Sequence, residues 1–445
     1  MNGAPNASAA PDELSIEAAV AAPDGLSIEA AVAAPDGLSI EAAVAALGNG
    51  PLTEAALAAH IAPLFSRMRD AAPDRVYLAN HSLGRPLDAT EQDLGEGVAA
   101  WYAQMGGAWD AWMAEMRAYR ARLARLMHAA CGDCIVPKTS AGQGLRAILN
   151  SYDASGERVN RLRPRVVATR GEFDSLDVIL RAYAQSGRIE LAFVEPRDGG
   201  RFDTSDIVDA IGERVDLVVV SEVIFNTGQR IERIDAIVER THRAGGRVLL
   251  DVYHSLGVFP VDVAMRDVDF AVGGSYKYLR GGPGACFLYL APRHLDGSLR
   301  TLDIGWFAKR EPFSYARPDP PELAAGGDAF LESTPPVLTW YQARAGQRLA
   351  LALDVERVRA YSLQQQQTLV GLLRARGFAA GGGTADHGAF VVVADPRAQS
   401  WCAALATRGI VADARGERLR LCPDILTTDE QLVRVADALG AIASR

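Results

Sequence analysis

The sequence predicts an α/β protein, with a large domain built on a mostly parallel sheet flanked by helices and a smaller α+β domain at its C-terminal end. Three observations carry this. Between about Arg165 and Leu290, short β-branched runs alternate with helical stretches, the pattern of βαβ units. The chain has 445 residues, 49% hydrophobic and 23% charged, enough apolar surface for more than one core. After a Pro- and Gly-rich passage at Ala316–Gly327, the texture changes to a long helical period followed by separated strands.

Residues 1–50 stand apart: AAPDELSIEAAV, AAPDGLSIEAAV and AAPDGLSIEAAV begin at Ala9, Ala21 and Ala33. Such units are shorter than solenoid repeats, and each SIEAAVAA is too short to hold a helix alone, so a disordered tail without a catalytic role is expected. Residues 51–95 open the folded part with the helical stretch Thr53–Ala71 and the apolar run Val76–Leu78, and are expected to pack on the small domain. The large domain is placed at 96–315. It begins with a helical region carrying Trp101, Trp109 and Trp112, whose spacing among apolar residues predicts core positions. Arg165–Ala168, Val215–Val220, Arg247–Asp251 and Val268–Val272 follow as strands, with Ile231–Ala244 as a crossover helix. Residues 316–337 form a linker. The small domain, 338–445, starts with one long helix over about Leu338–Arg374 and continues with strands near Ala389–Val393 and Leu419–Cys422.

Lys plus Arg number 46 against 55 Asp plus Glu, and the net charge of −9 repels nucleic acid and anionic membranes. Five cysteines build no disulfide framework, no basic segment precedes an apolar leader, and no apolar run approaches the roughly 20 residues of a membrane span. A cytoplasmic protein without nucleic-acid or membrane partners is expected. Cys131-x-x-Cys134 has no second Cys or His pair beside it, so no metal site is expected.

The chemistry is concentrated in Leu249–Ser255 and Gly273–Gly284. Asp251 at the exit of one buried strand, and Lys277 26 positions later at the exit of the next, converge on one cleft. A carboxylate that keeps a pyridine nitrogen protonated and a lysine that forms a Schiff base are what pyridoxal phosphate requires of a protein. Thr139–Gly144 opens the helical run LRAILNSY with small residues, suited to a phosphate dianion at a helix N-terminus.

From about Tyr77 to Ala436 the sequence resembles the fold-type-I pyridoxal-phosphate enzymes of the class V aminotransferase superfamily. Within it, Ser275-Tyr276-Lys277-Tyr278-Leu279-Arg280-Gly281-Gly282-Pro283-Gly284 most resembles kynureninases. The resemblance implies Lys277 as the Schiff-base lysine, Asp251 as the pyridine-nitrogen partner, His254 close to the ring, and Tyr276 as a phosphate ligand that also helps move protons. It implies Ala141 and Gly142 as phosphate-binding amides, Phe173 as the aromatic stacked on the ring, and Ser221 as a further cofactor contact. Trp306 and Thr334 are implied to reach the phosphate from a neighbouring subunit, which makes a homodimer necessary. Asn80-His81-Ser82-Leu83-Gly84 corresponds to the N-S-L-G loop, with His81 as an extra residue, and puts Ser82 and His81 at the substrate. Arg420 corresponds to the R-x-x-P arginine whose guanidinium takes an amino-acid carboxylate bidentately. Thr227-Gly228-Gln229, Gly305-Trp306 and Thr334-Pro335-Pro336 match further family positions.

Two departures accompany the match. The family's F-P-T-D reads Phe173-Asp174-Ser175-Leu176-Asp177 here, and its P-L-Y-N reads Asp424-Ile425-Leu426-Thr427. The activity implied is hydrolysis of kynurenine or a related amino acid at Cβ–Cγ to an aromatic acid and alanine, a step of tryptophan catabolism. The departures leave open an aminotransferase, a C–S lyase or desulfurase, or an epimerase of the same superfamily, and also a non-catalytic amino-acid sensor with the repeats as its partner-binding arm. Sulfur-transferring relatives carry a cysteine in the loop after Trp306, where this chain has none.

Overall fold

The computed structural model describes residues 39–154 and 163–444. After a two-residue strand, β1 (Val76–Tyr77), come β2 (Ile135–Lys138), β3 (Arg165–Thr169), β4 (Glu190–Val194), β5 (Leu217–Ser221), β6 (Arg247–Asp251), β7 (Phe270–Gly274) and β8 (Cys286–Leu290). Strands β2 to β8 form one sheet in the order β2-β8-β7-β6-β5-β3-β4. Pairing is parallel from β7 through β6, β5 and β3 to β4, while β8 runs antiparallel to both β2 and β7. Every residue of β5, β7 and β8 is buried, as in a sheet covered on both faces.

Two expected strands start later than their apolar runs. Val215–Asp216 and Val268–Asp269 precede β5 and β7 because their aspartates bond across strand ends: Asp216 Oδ2 accepts from the Arg165 N–H at 2.8 Å and Asp269 Oδ2 from the Val248 N–H at 2.8 Å. Strands β2 and β8 were not expected. Pro137 weakens the strand signal of β2, which an edge position tolerates, and the glycine-rich turn before Cys286 masks the start of β8.

The long helix expected over Leu338–Arg374 is two helices, Leu338–Leu353 and Val355–Arg374. Asp354 breaks it with φ 69°, and its side chain caps the second helix by accepting from the N–H groups of Glu356 and Arg357. The tryptophan-bearing region is likewise split, into Ala89–Gln104 and Ala108–Leu126, by Met105 at φ 48°. Trp112 is buried and donates from Nε1 to the Gly97 carbonyl, but Trp101, on the last turn before the break, is 53% exposed and is not core.

Of the tail expected over residues 1–50, residues 39–50 are described and include a packed helix. Ile40–Ala45 is a helix whose Ile40, Ala43 and Val44 are buried with Leu57, Ile61, Leu349 and Leu353, and Glu41 pairs with Arg348 at 2.7 Å. Ile40–Ala45 is helical because its apolar face meets helix Leu338–Leu353; the start of the third repeat and the repeats before it lie outside the described residues.

The C-terminal part holds β9 (Ala380–Gly381), β10 (Val391–Ala394), β11 (Ile410–Val411), β12 (Asp413–Arg415) and β13 (Arg418–Leu421). A four-stranded antiparallel sheet runs β12-β13-β10-β9, covered by helices that include Asp429–Ala443. Strand β1 pairs in parallel with β11, and Asn80 Nδ2 donates to the Cys422 carbonyl at 2.9 Å, so residues 76–84 are led from this sheet toward the lysine turn. Among the described residues no helix is long and apolar enough to cross a membrane.

Candidate active site

A parallel sheet delivers the C-terminal residue of each strand to one edge. Here that edge lines a cavity of about 340 Å³. Ser221 ends β5 and Asp251 ends β6, opposite each other in register; Phe173 follows β3, and Tyr276 and Lys277 follow β7. Thr139, Ser140 and Ala141 line the cavity at the start of helix Ala141–Ala154, and Ser82 and Leu83 line it from the N-terminal loop. Gly84 seats that loop: its N–H donates to the Tyr276 carbonyl at 2.7 Å, and a Cβ there would lie 1.9 Å from the Lys277 carbonyl oxygen.

Lys277 is buried, with Nζ 2.7 Å from His254 Nε2 and 5.7 Å from the centroids of the Phe173 and Tyr253 rings. Burial lowers its proton affinity well below the ordinary lysine range, with Asp251 opposing and Arg420 adding to the effect. Burial pushes the Asp251 carboxyl up, against the Tyr253 N–H, which donates to Asp251 Oδ1 at 2.8 Å, and against the Lys277 charge. Burial also drives His254 well below an ordinary imidazole, and Lys277, His81 and Arg420 push the same way, so His254 is neutral at neutral pH. Its Nδ1 is buried without a partner.

Of the residues singled out from sequence, Lys277, Tyr276, Asp251, His254, Phe173, Ser221, Ala141 and Ser82 line the cavity, whereas Gly142, His81, Arg420, Trp306 and Thr334 do not. Gly142 serves helix packing, since a Cβ there would meet Ile179 Cδ1 at 2.7 Å. His81 is buried, stacked 4.9 Å from Phe390, with both ring nitrogens unpartnered. Arg420 is buried too. Asp413 Oδ1 accepts from its Nε at 3.0 Å and its Nη2 at 2.6 Å, and the Phe225 carbonyl accepts from Nη1. The other Asp413 oxygen accepts from Ser82 Oγ at 2.9 Å. Trp306 Nε1 donates to Thr334 Oγ1 at 3.3 Å, and Thr334 lines a second hollow of about 150 Å³ that shares Thr139 with the first.

Sequence patterns do not single out Tyr253, Phe225, Asp413 or Glu172. Tyr253 stands inside the Asp251–His254 run and its ring lies 5.6 Å from that of Tyr276, and Phe225 meets Phe173 edge-on at 5.4 Å. Asp424, at one of the departures from the family pattern, is clamped between Arg85 and Arg280, the latter at 2.9 Å.

Residues 87–419 match the family described as Aminotransferase class-V. The chain belongs to that family. A kynureninase of Deinococcus radiodurans is 30% identical over 370 residues, covering 79% of this chain and 84% of the relative. A kynureninase of Geobacillus thermodenitrificans is 27% identical over 375 residues, covering 81% and 86%. Among solved structures, C-DES with glycine covalently linked to its PLP cofactor superposes with TM-score 0.74 at 17% identity, over 85% of this chain and 98% of that one. A cysteine desulfurase of Thermococcus onnurineus NA1 gives 0.72 at 16%, over 85% and 98%.

The class-V enzyme therefore has the fold-type-I architecture, takes pyridoxal 5'-phosphate, and is kynureninase-like in sequence. The residues present fit that cofactor. A buried amine of lowered proton affinity, a carboxylate at a strand end, an aromatic face and a helix start surround one cavity, and the unpartnered His254 Nδ1 lies beside it.

Proposed function

We propose that this enzyme hydrolyses kynurenine, or a closely related γ-keto amino acid, at its Cβ–Cγ bond, consuming one water and releasing an aromatic acid and alanine. The similarity to kynureninases over 79% and 81% of the chain carries this reading. When bound, pyridoxal 5'-phosphate supplies a carbonyl that captures the substrate amine and a ring that draws electrons from Cα. Lys277 holds that cofactor and, as a neutral amine, takes the Cα proton. His254 Nε2, 2.7 Å away, orients the amine and shares its proton. Asp251 would hold the proton of the cofactor's ring nitrogen, Phe173 and His254 would flank the ring, and Ser221 and the Ala141 and Gly142 amides would complete the cofactor's seat.

Burial raises the Tyr276 phenol, with neighbouring Asp251 in support, so Tyr276 stays protonated and can donate to the charge left on Cβ after cleavage. Ser82 lines the cavity on the substrate side, while His81 is buried against Phe390 and does not reach it. A guanidinium has five N–H donors, and Arg420 has committed three of its nitrogens' contacts to Asp413 and Phe225, leaving N–H groups for the substrate carboxylate. The reading includes a homodimer in which Trp306 and Thr334 serve the second copy's cavity; exposed Trp101, Tyr102, Met105, Phe313 and Tyr315 supply apolar surface for it.

Sulfur transfer is the weaker reading because it needs a reactive thiolate. Cys286 lines the cavity, yet burial pushes its thiol up to about 11, and the other four cysteines are not among the lining residues. Kynurenine incubated with the holoenzyme is expected to release fluorescent anthranilate. No release with cofactor bound, and formation of a keto acid or sulfide from another amino acid, would replace the hydrolase with a transaminase or lyase.

A further inference from the structure

Glu172 is a buried carboxyl to which the reading above gives no task. It is 3% exposed and directly precedes Phe173. Its Oε1 accepts from Thr169 Oγ1 at 2.6 Å and from the Ser221 N–H at 3.3 Å, and its Oε2 accepts from Ser221 Oγ at 2.6 Å. Strands β3, β5 and β6 are neighbours, so Glu172, Ser221 and Asp251 stand in sequence along one sheet edge, and the last two line the cavity. A hydroxyl carries one proton. Ser221 donates it to Glu172, which leaves Ser221 lone pairs for the cavity.

The surroundings isolate this carboxyl with Asp251. Behind it, Gly171 packs on Phe202 and Ile224, where a Cβ would lie 2.6 Å and 3.2 Å from their side chains. On β3's side Arg170 pairs with Glu195 at 2.9 Å, and after β5 Glu222 pairs with Arg266 at 2.8 Å and Arg230 at 3.3 Å. From β6 comes Asp251, with Lys277 and His254 across the cavity. Among the described residues no cation is ion-paired with Glu172. Burial raises its carboxyl to about 7, the Ser221 and Thr169 hydroxyls pull it down, and the Asp251 charge adds to the rise.

We propose that Glu172 is a positioning residue of this site: through Ser221 it fixes the hydroxyl beside Asp251 as an acceptor, and as the second carboxyl of the same sheet edge it sets how firmly Asp251 and the cofactor's ring nitrogen hold their proton. The inference rests on the cofactor and on Asp251 as the partner of its ring nitrogen, not on the identity of the substrate. A negative charge favours the protonated form of groups near it, so ionised Glu172 strengthens proton binding at the cofactor and neutral Glu172 does not.

The test uses the holoenzyme without substrate and follows the visible absorbance of the bound cofactor against pH. Glu172→Gln keeps the shape and an acceptor for Ser221 but cannot ionise. Its midpoint is expected below that of the native protein by on the order of one pH unit, as for a unit charge acting through a partly buried medium. Ser221→Ala weakens the ionised form of Glu172 and is expected to move the midpoint the same way by less. Superimposable titrations of the native protein and Glu172→Gln overturn the proposal and leave Glu172 a packing residue. Should Glu172→Gln fail to fold or to hold the cofactor, an unmoved midpoint in Ser221→Ala overturns it equally. Failure of kynurenine turnover alone touches the hydrolase reading and leaves this result standing.

Discussion

The two sides of the cavity are built differently. On the cofactor side, Asp251, Ser221, Phe173, Tyr276 and Lys277 come from the ends of neighbouring strands of one sheet. On the proposed substrate side, only Ser82 of this group lines the cavity; Asp413 holds it and also ties Arg420, while Asp424 is tied to Arg85 and Arg280, all outside the lining. A sheet edge presents its residues without needing them to bind one another. The substrate side instead joins segments hundreds of residues apart, and its charges are already paired. The cofactor seat is therefore expected to survive changes in the small domain, while the proposed substrate contacts are expected to depend on pairings that one substitution can redirect.

The most severe way to break this contrast is at Lys277. Lys277→Ala is expected to abolish the visible absorbance of bound cofactor and to lower turnover by at least about 10³-fold, roughly 4 kcal/mol. In the intact apoenzyme, cofactor capture requires the neutral amine, so its rate should rise with pH to a midpoint well below that of an exposed lysine. A stopped-flow series showing ordinary lysine behaviour would mean that the amine is hydrated in solution.

Arg420→Ala probes the other side. The cofactor's absorbance should remain, while kcat/KM falls by about 10²–10³, or about 2.7–4 kcal/mol. Arg420→Lys should restore little, because an ammonium lacks the planar fork. Near-native efficiency would move the carboxylate role to Arg415 or Arg418.

Asp424→Asn separates stability from chemistry. Burial alone would raise this carboxyl, but Arg85 and Arg280 outweigh burial and hold it below the usual range. Its stabilisation is complete above about pH 4, the ordinary carboxylate value, and is lost as pH falls through the lower folded value. Denaturant unfolding at neutral pH should show a loss of about 2–3 kcal/mol in Asp424→Asn, shrinking toward zero in acid. An unchanged difference at low pH would show that the triad's worth lies in packing.

The smallest effect is expected from Asp413→Asn. With the competing charge removed, Arg420 should bind a substrate carboxylate more readily, lowering KM by up to about tenfold with kcat little changed, about 1.4 kcal/mol. A raised KM would instead show that Asp413 holds Arg420 in its working orientation.

How far each region was legible in advance follows from the same contrast. Asp251 and Lys277 are readable because a strand exit followed by a glycine-rich turn is a local pattern. Glu172 was not, since an acidic residue after a strand is commonplace until Ser221 is seen to donate to it. Trp101 misled because helical spacing says nothing of a break at Met105, and the long helix misled because Asp354 breaks it and then caps its second half. Ile40–Ala45 lies in a repeated sequence whose pattern does not announce a packing partner, and its burial comes from distant Leu57, Ile61, Leu349 and Leu353.

By itself the sequence determined the strand succession β3, β5, β6 and β7, the residues at their ends, and hence the cofactor and the lysine proposed to hold it. These depend on period and spacing along the chain, which are local. Tertiary structure alone decided that Lys277 is a weakly basic amine against His254, that Arg420 is shared with Asp413, and that Glu172 stands beside Asp251. Proton affinity and charge pairing depend on how much water is excluded and on which distant groups arrive, and both are set only when the sheet edge and the N-terminal loop enclose one cavity and the small domain brings the charges of Arg420 and Asp413 within reach of it.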